Sequence, residues 1–305
     1  MPVTVLEAIQ KSAAFLAKKN VESPRLQTEL LLAHLLKLPR MKLYLNFDRE
    51  LSVAETDALR ELVKRRGLRE PLQHIVGATS FCGIEVKVSR QALIPRPETE
   101  LLAEAGGEFL LELERRLGPA GPGAESLTAL DFGTGTGCIA IALALKCRRV
   151  KITALDISAE ALELAAENAK NNLVHEQIEF RQGNGLKALA RGAEPPGSRP
   201  ATFELIVGNP PYIPTAEIAT LEPEVRDFDP RAALDGGSDG LDFYRALAVD
   251  AKPHLKAQGK IMLEFGDGQA DVISRLFTGE NWIVEAIRED YSQRARILVA
   301  RASGP

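Results

Sequence analysis

The spacing of hydrophobic and polar residues changes twice along this chain of 305 residues. Up to residue 75, apolar residues recur every three or four positions, which is the period of helices with one buried face. The next stretch alternates apolar and polar positions and then becomes rich in proline, as in strands followed by a rigid linker. From residue 99 onward, short apolar runs alternate with helical stretches. We therefore predict a helical domain at 1–75, a β-hairpin and proline-rich linker at 76–98, and an α/β domain at 99–305.

Capping signals mark the helices of the N-terminal domain. Ser23 is followed by Pro24, and a cap with a proline at the first helical position predicts a helix over residues 25–37. Two other pairs have the spacing of a capping box, in which a hydroxyl and a carboxylate satisfy free amides at a helix start. They are Thr4 with Glu7 and Ser52 with Glu55. The helix that follows Ser52 is expected to stop at Gly67.

The predicted linker contains two different segments. Phe81–Val88 alternates as strands do, with Gly83 as a turn or bulge. Ile94–Glu100 is stiffened by two prolines and leads into a helix predicted over Thr99–Leu117. Linker chemistry explains these prolines, but it explains less well the arginine, threonine and two glutamates beside them.

Seven short apolar runs in the C-terminal domain predict the strands of one sheet. They are Leu127–Phe132, Val150–Asp156, Gln177–Gln182, Phe203–Val207, Lys260–Phe265, Trp282–Arg288 and Arg296–Ala300. The helices predicted between them include Cys138–Lys146, Ala159–Asn171, Gly240–Lys252 and Gln269–Phe277. Because strands and helices alternate, we expect a mostly parallel sheet covered on both faces. The short connection before the last strand predicts an antiparallel hairpin at the end of the chain.

Composition and charge narrow the class of partner. The net charge of -4 argues against strong non-specific binding to nucleic acid. The three cysteines form no C-x-x-C pair, so we expect neither disulfides nor a metal site. No signal peptide and no apolar run of membrane-spanning length is apparent, so we expect a cytoplasmic protein with no membrane partner.

The first 75 residues carry a local positive charge, with 13 Lys or Arg against 9 Asp or Glu. Lys64, Arg65, Arg66 and Arg69 concentrate it near the end of the domain. A solvated helical face is the ordinary explanation, and a docking face for a protein substrate is the alternative.

A glycine-rich turn after the first predicted strand is the first candidate binding element. Gly133, Thr134, Gly135, Thr136 and Gly137 follow the strand and open a helix. Three glycines let the backbone turn tightly and approach a ligand closely. The turn lacks the Lys and Ser/Thr of a P-loop, and its G-x-G-x-G spacing differs from the dinucleotide fingerprint. A nucleoside held without a pyrophosphate is therefore favoured.

Asp156 is the second candidate, because it ends the next predicted strand. A carboxylate at this place can accept hydrogen bonds from both hydroxyls of a ribose. The alternative is that the segment only starts a helix, with Ser158 as its cap.

The third candidate is the segment Asn-Pro-Pro-Tyr at residues 209–212, directly after the strand Phe203–Val207. Two prolines end the strand sharply and make a stiff loop at its carboxyl end, where open α/β sheets bind ligands. An amide, a free carbonyl and an aromatic ring within four residues suit a flat, amide-like group. An ordinary strand-ending turn is the alternative.

Together these motifs resemble class I S-adenosyl-L-methionine (AdoMet)-dependent methyltransferases that act on planar nitrogens. Two further segments, Ile94–Glu100 and Ala233–Tyr244, closely resemble those of peptide chain release factor N(5)-glutamine methyltransferases. The resemblance implies a Rossmann-like seven-stranded, mostly parallel sheet, a small N-terminal helical domain and a β-hairpin linker. It implies AdoMet as cofactor and, as protein substrate, the glutamine of the GGQ motif in class 1 release factors. A ribosomal-protein glutamine methyltransferase and an N6-adenine DNA methyltransferase are the alternatives.

The resemblance also implies roles for the candidate residues. The Asn209 side-chain oxygen and the Pro210 carbonyl would accept the two amide hydrogens of the substrate, with Asn209 also touching the cofactor. Tyr212 would stack on the amide plane, and Pro211 would keep the loop rigid. The glycine loop and Asp156 would bind AdoMet.

Two positions depart from the family pattern. The family often has an acidic and then an aromatic residue near the adenine, where this chain has Asn184 and Gly185. Asn184 can still bond the adenine amino group, but the aromatic wall is missing. In the last hairpin, Gln293 stands where relatives usually have glycine, and we expect this change to be tolerated.

Overall fold

The computed structural model describes residues 3–118, 126–190 and 201–303. Within these ranges the α-helices are α1 (Val5–Ala17), α2 (Pro24–Leu36), α3 (Arg40–Tyr44), α4 (Val53–Gly67), α5 (Leu72–Val76), α6 (Pro97–Leu117), α7 (Cys138–Lys146), α8 (Ala159–Asn171), α9 (Pro223–Arg226), α10 (Asp242–Asp250) and α11 (Ala270–Gly279). The strands are β1 (Val3–Thr4), β2 (Glu50–Leu51), β3 (Ala78–Phe81), β4 (Ile84–Lys87), β5 (Leu127–Phe132), β6 (Val150–Asp156), β7 (Ile178–Gln182), β8 (Phe203–Gly208), β9 (Leu255–Glu264), β10 (Trp282–Glu289) and β11 (Ala295–Ala302).

The chain forms two compact units, of which the first comprises the residues up to Ala78 together with Leu221–Phe228. In this unit α1, α2 and α4 pack around a core that includes Ile9, Leu16 and Leu31. The short strands β1 and β2 pair antiparallel at its edge. The helical character expected for the start of the chain is therefore present.

Two of the three expected helix caps form hydrogen bonds. Ser52 accepts a bond from the Glu55 amide at 3.2 Å, and the Glu55 carboxylate accepts one from the Ser52 amide at 2.8 Å, so this capping box is complete. Thr4 accepts a bond from the Glu7 amide at 3.2 Å. The expectation for Ser23 is wrong, since its φ of 46° is left-handed and its side chain makes no capping bond. The proline that follows starts α2 instead, because its ring presets a helical φ.

The linker hairpin is confirmed and is tied to the larger unit. Strands β3 and β4 pair and are joined by Cys82 and Gly83, which both have positive φ, as in the type I′ turns common in two-residue hairpins. The Lys87 amide donates to Asn168 Oδ1 at 2.8 Å, and Asn168 Nδ2 donates to the Lys87 and Thr136 carbonyls at 3.0 Å. The buried Asn168 side chain therefore connects the hairpin, helix α8 and the glycine loop.

The second unit contains the predicted seven-stranded sheet, in the order β10-β11-β9-β8-β5-β6-β7. Its strands are parallel except β11, which runs antiparallel to both neighbours and confirms the terminal hairpin. The main differences from the prediction are an earlier start of β9, at Leu255, and a shorter α10.

Buried apolar residues cover both faces of this sheet. Helices α6, α7 and α8 supply residues to one cluster, and α10 and α11 supply residues to the other. Because β5, β6, β7 and β8 are parallel, their carboxyl ends lie at one edge, and the three candidate motifs follow three of these ends. In residues 3–118, 126–190 and 201–303, no helix is long and apolar enough to cross a membrane.

Candidate active site

A cavity of about 330 Å³ lies in the second unit at the carboxyl ends of the parallel strands. It is lined by most of the residues that the sequence singles out, namely Gly133, Thr134, Gly135, Thr136, Asp156, Asn184, Gly185, Asn209 and Pro211. Three predicted site residues, Gly137, Pro210 and Tyr212, are not among its lining. Apolar side chains form much of the remaining wall, including Leu93, Phe132, Ile139, Leu155, Ile157 and Phe243. Apolar walls with a few converging polar groups are typical of small-molecule sites.

The three glycines of the loop after β5 have distinct structural roles. All three have positive φ, which glycine adopts without strain. Gly133 and Gly135 line the cavity, so their missing side chains leave room for a ligand. Gly137 instead packs against α8, where an added Cβ would lie 3.0 Å from the Ala165 Cβ. Gly137 therefore permits close packing and does not form the cavity wall.

Asp131, near the end of β5, forms hydrogen bonds that stabilise this loop. Its carboxyl group is fully buried, and its Oδ2 accepts bonds from the Thr134 hydroxyl at 2.6 Å and the Ala140 amide at 3.2 Å. Burial raises the pKa of Asp131 to about 7, although these two hydrogen bonds oppose the rise. In the sequence, the signal for this role is an acidic side chain near the end of an apolar strand.

The Asp156 carboxylate lines the cavity and organises its surroundings. Its Oδ2 accepts a bond from the Gly135 amide and its Oδ1 accepts one from the Ser158 amide, both at 2.9 Å. Ser158 itself caps α8, accepting a bond from the Ala161 amide at 3.1 Å. The helix-cap role of Ser158 and a ligand role of Asp156 are therefore compatible. Each carboxylate oxygen keeps a lone pair for a further donor, and the ribose contact stays a prediction.

The expected adenine end of the cavity is open at Gly185. This residue has a φ of 73°, and nothing lies within 4 Å of where its Cβ would be. The apolar side chains of Leu155 and Ile157 line the cavity near the end of the neighbouring strand, and Ile157 is half-exposed. They offer aliphatic surface in a region where the family often supplies an aromatic ring.

The Asn209 side chain is held in one orientation by two partners. Its Nδ2 donates to Thr99 Oγ1 at 3.1 Å and to Glu264 Oε1 at 3.0 Å. Thr99 belongs to the linker motif Ile94–Glu100, whose polar residues linker chemistry alone does not explain. The amide nitrogen is engaged with the protein, so the Asn209 oxygen is the end left to accept a bond from a ligand.

Glu264, the partner from β9, is a functional candidate that sequence reasoning missed. Its side chain is 2% exposed, and burial raises its pKa to about 7. The Thr99 hydroxyl, Arg296 and the Asn209 amide oppose this rise. The signal was an acidic residue that ends the apolar run Ile261–Leu263.

The Tyr212 side chain packs against the backbone that follows β9. Its ring packs so closely on Gly266 that a Cβ there would lie 2.9 Å from the ring, and its carbonyl accepts a bond from Gln269 Nε2 at 3.0 Å. Burial raises the pKa of the Tyr212 phenol, and the nearby Glu264 adds to the rise. Stacking of this ring on a substrate amide stays a prediction.

The glycine-rich segment 233–244 supports the same loop through its backbone. The Ile213 amide donates to the Leu234 carbonyl at 3.0 Å, and the Gly236 amide donates to the Ile213 carbonyl at 2.9 Å. A Cβ on Gly236 would lie 2.8 Å from the Pro211 carbonyl oxygen, and one on Gly240 would collide with the Tyr212 carbonyl. These glycines therefore let two backbone segments approach closely.

The linker arginine also lines the cavity. Arg96 forms an ion pair with Asp229, whose carboxyl group is buried. Burial raises the pKa of Asp229, and the guanidinium of Arg96 opposes this rise. The pair attaches the linker motif to the segment that precedes the glycine-rich stretch.

In the first unit, most of the basic segment is neutralised internally. Arg65 pairs with Glu70, and both Arg66 and Arg69 pair with Glu224. Docking of a protein substrate on this segment stays a prediction, but its available positive charge is smaller than the sequence suggested.

Known protein families match both parts of the chain. The model for the PrmC N-terminal domain matches residues 7–77, and the model for the methyltransferase small domain matches residues 105–221. The release factor glutamine methyltransferase of Geobacter sulfurreducens is 42% identical over 275 residues, covering 90% of this chain and 88% of the relative. The enzyme of that name from Chlorobaculum tepidum is 40% identical over 301 residues, covering 98% and 97%. The chain belongs to the release factor glutamine methyltransferase family.

Structural similarity extends to more distant methyltransferases. The catalytic domain of hMettl16, solved with a MAT2A 3′UTR hairpin, superposes with a TM-score of 0.50 and 14% identity, covering 79% of this chain and 82% of that one. At this identity the likeness concerns the fold alone.

The cofactor of this methyltransferase is AdoMet, and the residues of the cavity fit it. The glycine loop leaves space for close approach, the Asp156 carboxylate keeps acceptor capacity for hydroxyl groups, and the walls offer apolar surface to a base.

Proposed function

We propose that this chain transfers a methyl group from AdoMet to the side-chain amide nitrogen of the GGQ glutamine in class 1 peptide chain release factors. The observation that carries the proposal is the orientation of Asn209 at the cavity, because its oxygen, which accepts no hydrogen bond from a described residue, is an acceptor suited to a substrate amide. Membership of the family supports the substrate. We also propose that the reaction takes place in the cytoplasm, with no direct contact with nucleic acid or membranes.

The protein's own contribution is mainly the positioning of a weak nucleophile. An amide nitrogen is a poor nucleophile because its lone pair is delocalised into the carbonyl group. Asn209 Oδ1 and the Pro210 carbonyl would each accept one amide hydrogen and so fix the nitrogen in line with the methyl group. Correct orientation of two reactants can lower a barrier by about 7–11 kcal/mol, so positioning can dominate.

When bound, AdoMet supplies an electrophilic methyl group on a positively charged sulfur. The nitrogen becomes acidic only after it has gained the methyl group, so its proton can leave to water without a dedicated base. The glycine loop and Asp156 would hold the cofactor, while Pro211 keeps the loop rigid. Tyr212 would stack on the amide plane.

The test is methylation with AdoMet carrying a labelled methyl group. The purified protein is incubated in separate reactions with a class 1 release factor, ribosomal protein and DNA. We expect label on the release factor alone, with mass spectrometry locating one methyl group on the GGQ glutamine. Label on ribosomal protein or DNA, with none on the release factor, would contradict the proposal. A release factor with that glutamine replaced by alanine is the matched control.

A further inference from the structure

Three polar side chains from separate parts of the second unit meet at the start of the Asn-Pro-Pro-Tyr loop. Asn209 follows β8, Thr99 lies in the first turn of α6, and Glu264 ends β9. The Asn209 amide nitrogen lies 3.1 Å from the Thr99 hydroxyl and 3.0 Å from Glu264 Oε1. Thr99 and Glu264 are 4% and 2% exposed, so water does not compete strongly for these bonds.

The side-chain amide of Asn209 could turn either its oxygen or its NH2 group towards the cavity. Contact with Glu264 favours one of these two orientations. An ionised carboxylate only accepts hydrogen bonds, and Glu264 is ionised above its raised pKa of about 7. The NH2 end of Asn209 therefore satisfies it, whereas a flipped amide would place two acceptor oxygens about 3 Å apart in a buried site. Because these oxygens would lack hydrogen-bond donors, the flipped orientation of Asn209 should be populated about tenfold less, or lower still.

The orientation of Asn209 determines what the cavity can bind. With the NH2 end turned to Glu264, the oxygen end is the one available to a ligand, and an oxygen attracts a hydrogen-bond donor. The amide group of glutamine carries two such hydrogens. The carboxylate of glutamate carries none, and its charge would face another acceptor.

We propose that Glu264 is a positioning residue that, through Asn209, makes the site select a nitrogen that donates hydrogen bonds. This inference rests on the proposed function, since it concerns the same substrate group. Glu264 holds the Asn209 amide, and Thr99 assists it. Glu264 does not touch the reacting atoms.

The setting of Glu264 supports a role beyond packing. Its second oxygen, Oε2, is buried and has no hydrogen-bond partner among the described residues. Buried unsatisfied polar atoms are costly, and an apolar residue would fill the end of a central strand at lower cost. A buried acid with a perturbed pKa beside a binding site is a candidate for function, and Glu264 contacts Asn209, which lines the cavity. Glu98 and Arg296 are the charged groups that act on it, with opposite effects.

The experiment compares wild type with Glu264→Gln, which keeps the size of the side chain but can donate as well as accept. Two peptides that differ only in Gln or Glu at the target position are titrated into each protein by calorimetry, in the presence of S-adenosylhomocysteine and at about pH 8.5, where Glu264 is ionised. We expect wild type to prefer the glutamine peptide and the variant to lose about tenfold or more of this preference. In methylation of the release factor, we expect kcat to fall by about tenfold to a hundredfold while AdoMet affinity stays near wild type.

Three further variants separate positioning from folding. Glu264→Asp keeps a group that only accepts, so it should retain the preference even if kcat drops. Thr99→Ser should retain activity and Thr99→Val should lose part of it, because only the first keeps the hydroxyl. Glu285→Gln removes an acid that pairs with Lys260 and Arg301, outside the cavity lining, and serves as the control.

An unchanged peptide preference in Glu264→Gln would overturn the inference, even if kcat falls, because a purely structural loss would lower activity without changing selectivity. The inference would also be overturned if Glu285→Gln lost as much of the preference for the glutamine peptide as Glu264→Gln. Failure of the proposed function would appear separately, as a wild-type enzyme that leaves the release factor glutamine unlabelled. The peptide binding ratio does not depend on turnover and would still test the role of Glu264.

Discussion

The backbone amide of Gly135 donates a hydrogen bond to the Asp156 carboxylate at 2.9 Å, and this bond joins the ends of the neighbouring strands β5 and β6. A single carboxylate therefore shapes the glycine loop and faces the cavity. Any change at Asp156 should affect the cofactor site in two ways, through the missing acceptor and through the shape of the loop.

We expect Asp156→Ala to weaken AdoMet binding by about tenfold to a hundredfold, the range for loss of hydrogen bonds to a charged acceptor. Asp156→Asn should lose less AdoMet affinity, since its amide oxygen can still accept the hydrogen bond from the Gly135 amide. Calorimetric titration with AdoMet measures both. Equal affinity in wild type and Asp156→Ala would remove the ribose assignment.

Asn209→Ala should lower the single-turnover rate of methyl transfer on the order of 10²-fold, because it removes a preorganised acceptor at the reacting group. AdoMet affinity should change much less, since other residues form most of the cofactor site. Rapid-quench measurements with the release factor, together with AdoMet titration, test this. Near wild-type turnover would refute the mechanism.

Gly236→Ala should destabilise the protein by about 1–3 kcal/mol, because the new methyl group would lie 2.8 Å from the Pro211 carbonyl oxygen. Gly279→Ala is the matched control, with nothing within 4 Å of the added Cβ. Urea unfolding gives the free energy of unfolding for each variant. Similar values for the two would show that the loop can move aside at little cost.

Glu264 should make the stability of the protein depend on pH in the reverse of the usual sense for an acid. Its folded pKa of about 7 lies above the ordinary value of 4.5, so the folded state holds the proton more tightly. The contribution of Glu264 to the free energy of unfolding is therefore greatest below pH 4.5 and is lost as the pH rises towards 7. The full difference corresponds to about 3 kcal/mol.

The comparison of wild type with Glu264→Gln isolates this contribution from other groups, including the buried Asp131. We expect the difference in unfolding free energy between the two proteins to change by a few kcal/mol between pH 4.5 and pH 7.5. A constant difference across this range would show that Glu264 titrates near its ordinary value.

The sequence was most informative where local physics decides the structure. Apolar runs such as Val150–Asp156 identified the strands, and their alternation with helices implied a parallel sheet. Parallel strands bring their carboxyl ends to one edge, so the glycine loop, Asp156 and Asn209 could be expected to meet. The capping box at Ser52 was equally local and was confirmed.

Long-range partners could not be predicted in this way. Thr99 lies 110 positions before Asn209, and Glu264 lies 55 positions after it. The hydrogen bonds among them depend on how α6 and β9 pack against β8. The cap predicted at Ser23 is wrong for a different, local reason: its backbone is left-handed, and its side chain makes no hydrogen bond to the amides of α2.

The Asn168 side chain gives the linker hairpin a connection to cofactor binding. It accepts the Lys87 amide hydrogen and also donates to the carbonyl of Thr136, a residue of the cavity wall. A ligand that restrains the glycine loop should therefore slow local opening around Asn168. The Lys87 amide, which does not line the cavity, should then exchange its hydrogen with deuterated solvent more slowly when AdoMet is bound.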